Sequence, residues 1–171
     1  DGGFDRRIIE LSILKGDQDR EVSDEEVVAS FRNEVDPGSV GENFMLQYLE
    51  AGKLGHVYGR TLFVHGGVSE RSMGNVPGRE GVVSEVGAWI SELNAWGREE
   101  VESFKRKPWE GKNSRSRAGH GLMDYGVPGG NDKRSVIYHT WLVGGNAAAV
   151  PEAVVKYLGA SGIRTVVTGH I

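Results

Sequence analysis

Between Gly81 and Lys105, apolar residues return every three or four positions: Val82, Val86, Trp89, Ile90, Leu93, Trp96, Val101 and Phe104. That spacing predicts one long amphipathic helix, beginning near Gly81, with a dry stripe along one side. Such a stripe must be covered by other apolar surface, so the helix forces a layered fold. The stripe has no interleaved basic residues, and its tryptophans read as core, not as a base-stacking platform.

The rest of the chain supplies the cover. Arg6–Leu14 carries Ile8, Ile9, Leu11, Ile13 and Leu14 and reads as a short buried helix stopping near Gly16. Ser23-Asp24-Glu25-Glu26 is a capping-box pattern, in which Ser23 takes the Glu26 amide and Glu26 reaches back. The helix it opens places Val27, Val28, Phe31 and Val35 on one face and stops at Asp36-Pro37-Gly38, since proline cannot continue the ladder. A second helix carries Phe44, Met45, Tyr48 and Leu49 inward, with Gly52 past its end. His56-Val57-Tyr58 and Thr61–Val64, joined by Gly59-Arg60, read as a hairpin. After the long helix, Ser135–Tyr138 and Trp141–Val143 read as strands. Pro151–Leu158 reads as a helix with Gly159 past its end, and Ile163–Thr168 as a final buried strand. Strands alternating with helices indicate an α/β arrangement in one domain spanning 1–171, with a Gly-rich, basic loop insertion at 105–130.

Composition removes whole classes. With no cysteine among 171 residues there is no disulfide framework and no thiolate metal or nucleophile chemistry. The 26 glycines follow no G-x-y period, which excludes collagen. Runs such as Thr165–Thr168 fall far short of the roughly 18 apolar residues of a membrane span. Twenty Lys and Arg against 24 Asp and Glu leave a charge of −4, which argues against a general nucleic-acid binder. The expectation is a soluble protein, intracellular or organellar. The absence of an initiator Met and the ending at a strand followed by Gly169-His170 suggest a processed or truncated chain.

Two places carry chemistry. Each sets a histidine beside glycine at the carboxyl end of an apolar strand: Leu62-Phe63-Val64-His65-Gly66-Gly67, and Val166-Val167-Thr168-Gly169-His170. In α/β proteins ligands gather outside those strand ends. A histidine there offers one ring nitrogen to a metal while the other is held by an acceptor, and Gly66 and Gly67 leave backbone room for a ligand. Arg60, Arg71 and the basic run Lys112–Arg117 are candidate phosphate holders, although basic loop residues are usually just solvated. Asp124 reads as a turn residue rather than a supporting carboxylate. His56, His120 and His139 read as ordinary core or surface histidines, because no partner spacing singles them out.

Val64-His65-Gly66-Gly67-Val68-Ser69 with Val167-Thr168-Gly169-His170 resembles the C-terminal half of the calcineurin-like metallophosphoesterases, especially the protein Ser/Thr phosphatase-like branch. That family carries a V-H-G-G-(L/V/I)-S block and a later G-H or R-x-H block. Met123-Asp124-Tyr125-Gly126 and Val136–Leu142 extend the likeness loosely. The resemblance implies a layered α/β (α+β) fold with a central β-sandwich flanked by helices. It implies two divalent or trivalent metal ions (Mn, Fe or Zn), with His65 and His170 among their ligands; Gly66, Gly67 and Arg60 remain the candidates on the substrate side from the residue reading above. The implied reaction is hydrolysis of a phosphomonoester, on a phosphoprotein or small phosphoester, by a metal-activated water. The family's D-x-H, G-D-x-x-D-R-G and G-N-H-[DE] blocks have no counterpart here; Asp1-Gly2-Gly3-Phe4-Asp5-Arg6 is a faint echo of the second. The domain is therefore expected to be incomplete, and this chain alone inactive. The alternatives are an inactive relative serving as a structural subunit of a larger assembly, and an unrelated α/β binding domain.

Overall fold

The computed structural model describes residues 22–39, 43–107 and 118–169. The expected helix Arg6–Leu14, the basic run Lys112–Arg117 and His170 lie outside them. The chain divides into two units, Asp1–Ala51 and Gly52–Ile171. It is a mixed α/β protein, with two small sheets among the described residues. Among the described residues no helix is long and apolar enough to cross a membrane.

The first unit holds α1 (Asp24–Asn33) and α2 (Phe44–Ala51). The capping box forms as its residues predict: the Ser23 hydroxyl accepts from the Glu26 N–H and the Glu26 carboxylate accepts from the Ser23 N–H. The predicted burial is not found. No residue of α1 is buried, and Val28 and Phe31 are exposed. In α2 the buried side chain is Leu46, while Phe44, Tyr48 and Leu49 are exposed. Apolar residues fill so many of this helix's eight positions that spacing selects no single stripe.

The second unit is built on β1 (Gly55–Tyr58), β2 (Thr61–Val64), α3 (Val86–Arg106), α4 (His120–Tyr125), α5 (Gly130–Lys133), β3 (Leu142–Val143), β4 (Asn146–Ala147), α6 (Glu152–Ala160) and β5 (Thr165–Val167). β1 and β2 form the predicted hairpin, pairing Tyr58 with Thr61 and His56 with Phe63, and Gly59 takes the left-handed turn conformation. β5 adds to β2 in parallel, giving the order β1-β2-β5. Side chains alternate between the faces. Leu62 and Val64 point to the dry face, while His56, Tyr58, Phe63 and Val167 are exposed. The dry face joins Trp89, Ile90 and Leu93 of α3, with Val154 and Leu158 of α6 and Ile163, in one core. Asn94 of α3 holds the edge strand: its Oδ1 accepts from the Leu54 N–H at 2.8 Å, and its Nδ2 donates to the Gly55 carbonyl at 2.8 Å.

The long helix starts at Val86, four residues later than the periodicity predicts. Val82 lies outside it and is exposed. The Val83 N–H donates to the Gly74 carbonyl at 2.9 Å and the Val83 carbonyl accepts from the Tyr157 hydroxyl at 2.8 Å, so this backbone is committed to a loop and to α6. Glu85 caps the helix, its carboxylate accepting from the N–H groups of Gly87 and Ala88. Those bonds pull the Glu85 carboxyl below the ordinary Glu range. Glu85→Ala is expected to cost about 1 kcal/mol at neutral pH. Because a lowered native pKa stabilises above the unfolded value and is lost as pH falls through the native one, the gap narrows in acid. Urea midpoints of the two proteins at neutral and acidic pH measure it.

Three other expectations are corrected. Ser135–Tyr138 is not a strand; its backbone bonds irregularly to other segments, as described below. α6 continues through Gly159 to Ala160, and the residue in the left-handed conformation past its end is Gly162. β5 is shorter than expected and its residues are not buried, since only one of its edges and one of its faces meet the rest of the unit. Within 105–130, Lys105 and Arg106 complete α3, and α4 packs on it with Tyr125 fully buried.

Candidate functional site

The parallel pairing of β2 with β5 sets their carboxyl ends side by side. Beyond the last ladder pair the His65 carbonyl accepts from the Gly169 N–H at 2.9 Å. Both glycine-flanked histidine motifs therefore begin at one end of one sheet. A shallow cavity of about 290 Å³ opens there, lined by Lys53, His56, Phe63, His65, Thr168 and Gly169 among others. His65 is exposed, so its imidazole is accessible to a ligand. An ideal Cβ built on Gly169 would stand 4.0 Å from His65 Nδ1.

His56 is an exposed histidine, as its sequence reading has it, but pairing brings it to the strand-end cavity. Register puts it opposite Phe63, on the same open face, and the two rings lie 6.5 Å apart between centroids. It lines the same cavity as His65. The two-residue turn Gly59-Arg60 contained this signal, because it alone sets which residues face each other.

The loop after His65 is clamped by the segment before β3. The Gly66 N–H donates to the Val136 carbonyl at 2.6 Å, and the Gly67 N–H to the His139 carbonyl at 2.6 Å. A Cβ on Gly66 would meet the Ile137 and His139 carbonyl oxygens at 2.5 and 2.6 Å. The space left by this glycine is thus occupied by the chain's own backbone. Gly67 lies against the rings of His139 and Trp141, and the Trp141 Nε1–H donates to the Val68 carbonyl at 3.0 Å. The clamp continues inward, where the Val136 N–H donates to the Tyr125 hydroxyl at 3.1 Å. Ser69, the end of the block, bonds to Ser72 instead of a ligand: the Ser69 N–H reaches the Ser72 hydroxyl at 2.8 Å and the Ser72 N–H reaches the Ser69 hydroxyl at 3.1 Å.

His139 reads in the sequence as an ordinary core or surface histidine, and its surroundings in the structure are those of one. Its half-buried ring borders the His-Gly-Gly block, and desolvation lowers its pKa below the ordinary imidazole value. It is therefore neutral at neutral pH and keeps an acceptor nitrogen. Arg60 is not brought to His65. It stands at the opposite end of β2, about 16 Å away along the strand, with its Nε–H on the Gly162 carbonyl at 3.4 Å. Asp124 is not the turn residue expected: it lies in the last turn of α4, its carboxylate accepting from the Asn131 N–H at 2.8 Å.

Imidazoles at an open strand end suit Mn, Fe or Zn, which accept nitrogen and carboxylate oxygen together. Among the described residues no group of three or more His, Asp or Glu is gathered to hold a metal ion. His65 fits as one ligand of such an ion, and a complete set needs further donors. No family model, no curated protein and no solved structure matches this chain.

Proposed function

We propose that this chain contributes the His65 and Gly169-His170 strand ends to a metal-dependent phosphoesterase centre. The observation that supports the reading most is the parallel β2–β5 pairing, with the Gly169 N–H on the His65 carbonyl. It joins two motifs about a hundred residues apart in the sequence. When bound, a pair of metal ions supplies a hydroxide nucleophile and neutralises phosphate charge. His65 and His170 would hold metal. The clamped Gly66–Gly67 loop fixes the direction in which His65 leaves its strand. The substrate class is a phosphomonoester, on a protein or a small molecule.

The same reading extends to the fold. Tyr58, Phe63 and Val167 leave an apolar open face on the three-stranded sheet, opposite the face that meets α3. A second sheet laid on it would complete a β-sandwich between helices.

Metal analysis of the purified full-length protein, which must supply the remaining donors, and its hydrolysis of p-nitrophenyl phosphate test the reading. Bound Mn, Fe or Zn with hydrolysis is the expected result. A metal-free, inert protein overturns it in favour of a structural relative. His65→Ala is expected to lower metal content and activity by at least about tenfold, the scale on which perturbed metal shells lose function. Because His65 is exposed, thermal unfolding should remain near wild type.

A further inference from the structure

A second concavity, of about 520 Å³, lies on the Gly52–Ile171 unit and shares no lining residue with the strand-end cavity. Three arginines from three different turns line it: Arg71, Arg79 and Arg134. Arg71 sits within the Ser69–Ser72 turn. Arg79 follows the left-handed Gly78 and donates its N–H to the Val76 carbonyl. Arg134 ends α5, in which Asn131, Asp132 and Lys133 all take positive φ values of 46°, 54° and 59°. Consecutive non-glycine residues in that region are strained. The turn is held by Asp124, whose carboxylate accepts from the Asn131 N–H.

The hydrogen-bonding inventory decides what the concavity takes. Each guanidinium carries five N–H donors in a planar fork. Arg71 and Arg134 share one carboxylate, that of Asp132, at 3.9 and 3.4 Å, and Arg79 pairs with Glu92 through one nitrogen. Most of the donors therefore remain for a ligand. These pairs are solvent-exposed, with side-chain exposures of 42–73 %, and such pairs are easily exchanged. Glu70 on the same wall opposes an anion, so a ligand must offer several acceptor oxygens and more than one negative charge. Met73 and Val82 add an apolar wall, and the volume exceeds that of a bare oxyanion.

We propose that this arginine-lined concavity binds a phosphomonoester dianion carried on an organic group, as a site separate from the strand-end cavity. Arg71 and Arg134 already converge on the one carboxylate of Asp132, so both can turn to one anion, and bidentate guanidinium contacts favour phosphate over a point-charge site.

Calorimetric titration with inorganic phosphate, with a phosphoserine peptide and with its unphosphorylated twin tests the proposal. Saturable binding of phosphate and of the phosphopeptide is expected, and none of the twin. A phosphopeptide that binds more tightly than phosphate supports the proposal and assigns the ligand to a protein side chain; equal or weaker binding of the phosphopeptide overturns it in favour of free phosphate. The pair Arg71→Ala with Arg134→Ala should weaken binding at least about tenfold, and Glu70→Gln should tighten it. Titration after removal of divalent metal with EDTA should leave this binding in place, which separates the site from the function proposed above. The exposed positions leave folding intact, with circular dichroism as the check, and Arg79→Ala supplies an independent variant. Absence of saturable binding, binding indifferent to the arginines, or binding lost with the metal chelated overturns the proposal.

Discussion

Trp89→Ala is expected to destabilise the Gly52–Ile171 unit by about 3–5 kcal/mol, the range for emptying a large buried aromatic site. Trp89 is fully buried at the centre of the core. Its ring meets Tyr157 edge-on, with centroids 5.9 Å apart at 69°, an arrangement that adds to the burial itself. Its Nε1–H donates to the Asn75 carbonyl at 2.8 Å. Alanine removes the ring, the edge contact and the donor at once, leaving a carbonyl without that partner. The side chain ties α3 both to the 72–79 loop and to α6, so relaxation into the cavity would need three segments to move together. Denaturant unfolding followed by circular dichroism measures the effect. A loss below about 1 kcal/mol would mean that the site collapses freely and that the core does not depend on this ring.

What was legible beforehand follows from the range of the interactions involved. The capping box, the Gly59-Arg60 hairpin and the body of the long helix are set by residues within a few positions of each other, and all three form. Burial on α2 was not legible, because an almost wholly apolar octet leaves the choice of face to its surroundings. The misplaced start of α3 has the same cause: Val82 continues the helical spacing, yet tertiary bonds at Val83 to Gly74 and Tyr157 remove that segment from the helix. Ser135–Tyr138 has strand composition but finds no neighbouring strand; its partners are a tyrosine hydroxyl and the loop after His65. At the candidate site, His65 and the Gly169 strand end were legible as local motifs. Their adjacency depended on a parallel pairing over a long crossover, which only the structure supplies. The places of His56 beside the cavity and of His139 against Gly67 come from register and from the clamp, neither of which appears as a motif.

Gly66→Ala is the substitution expected to link core and site most sharply. The conformation at Gly66 is not left-handed, so alanine carries no backbone strain there; the obstacle is contact alone. Its methyl would stand 2.5 Å from the Ile137 carbonyl oxygen, 2.6 Å from that of His139 and 2.8 Å from the Ile137 carbonyl carbon. Backbone cannot swing aside as a flexible side chain does, so the 136–139 segment must withdraw. Withdrawal breaks the Gly66–Val136 and Gly67–His139 hydrogen bonds and strands buried polar groups, each at roughly 1–3 kcal/mol. It also pulls Val136, which is fully buried, away from Tyr125. The expected total is about 3–5 kcal/mol, with loss of protection at the Gly66 and Gly67 amides in hydrogen exchange. If the chain holds metal as proposed, the clamp fixes how it leaves His65, and Gly66→Ala should also lower metal content in whatever fraction remains folded. On the same proposal His65→Ala should lower metal content without changing stability. A Gly66→Ala protein with wild-type stability and wild-type amide protection would show that the 136–139 segment yields easily, and that it does not hold the site.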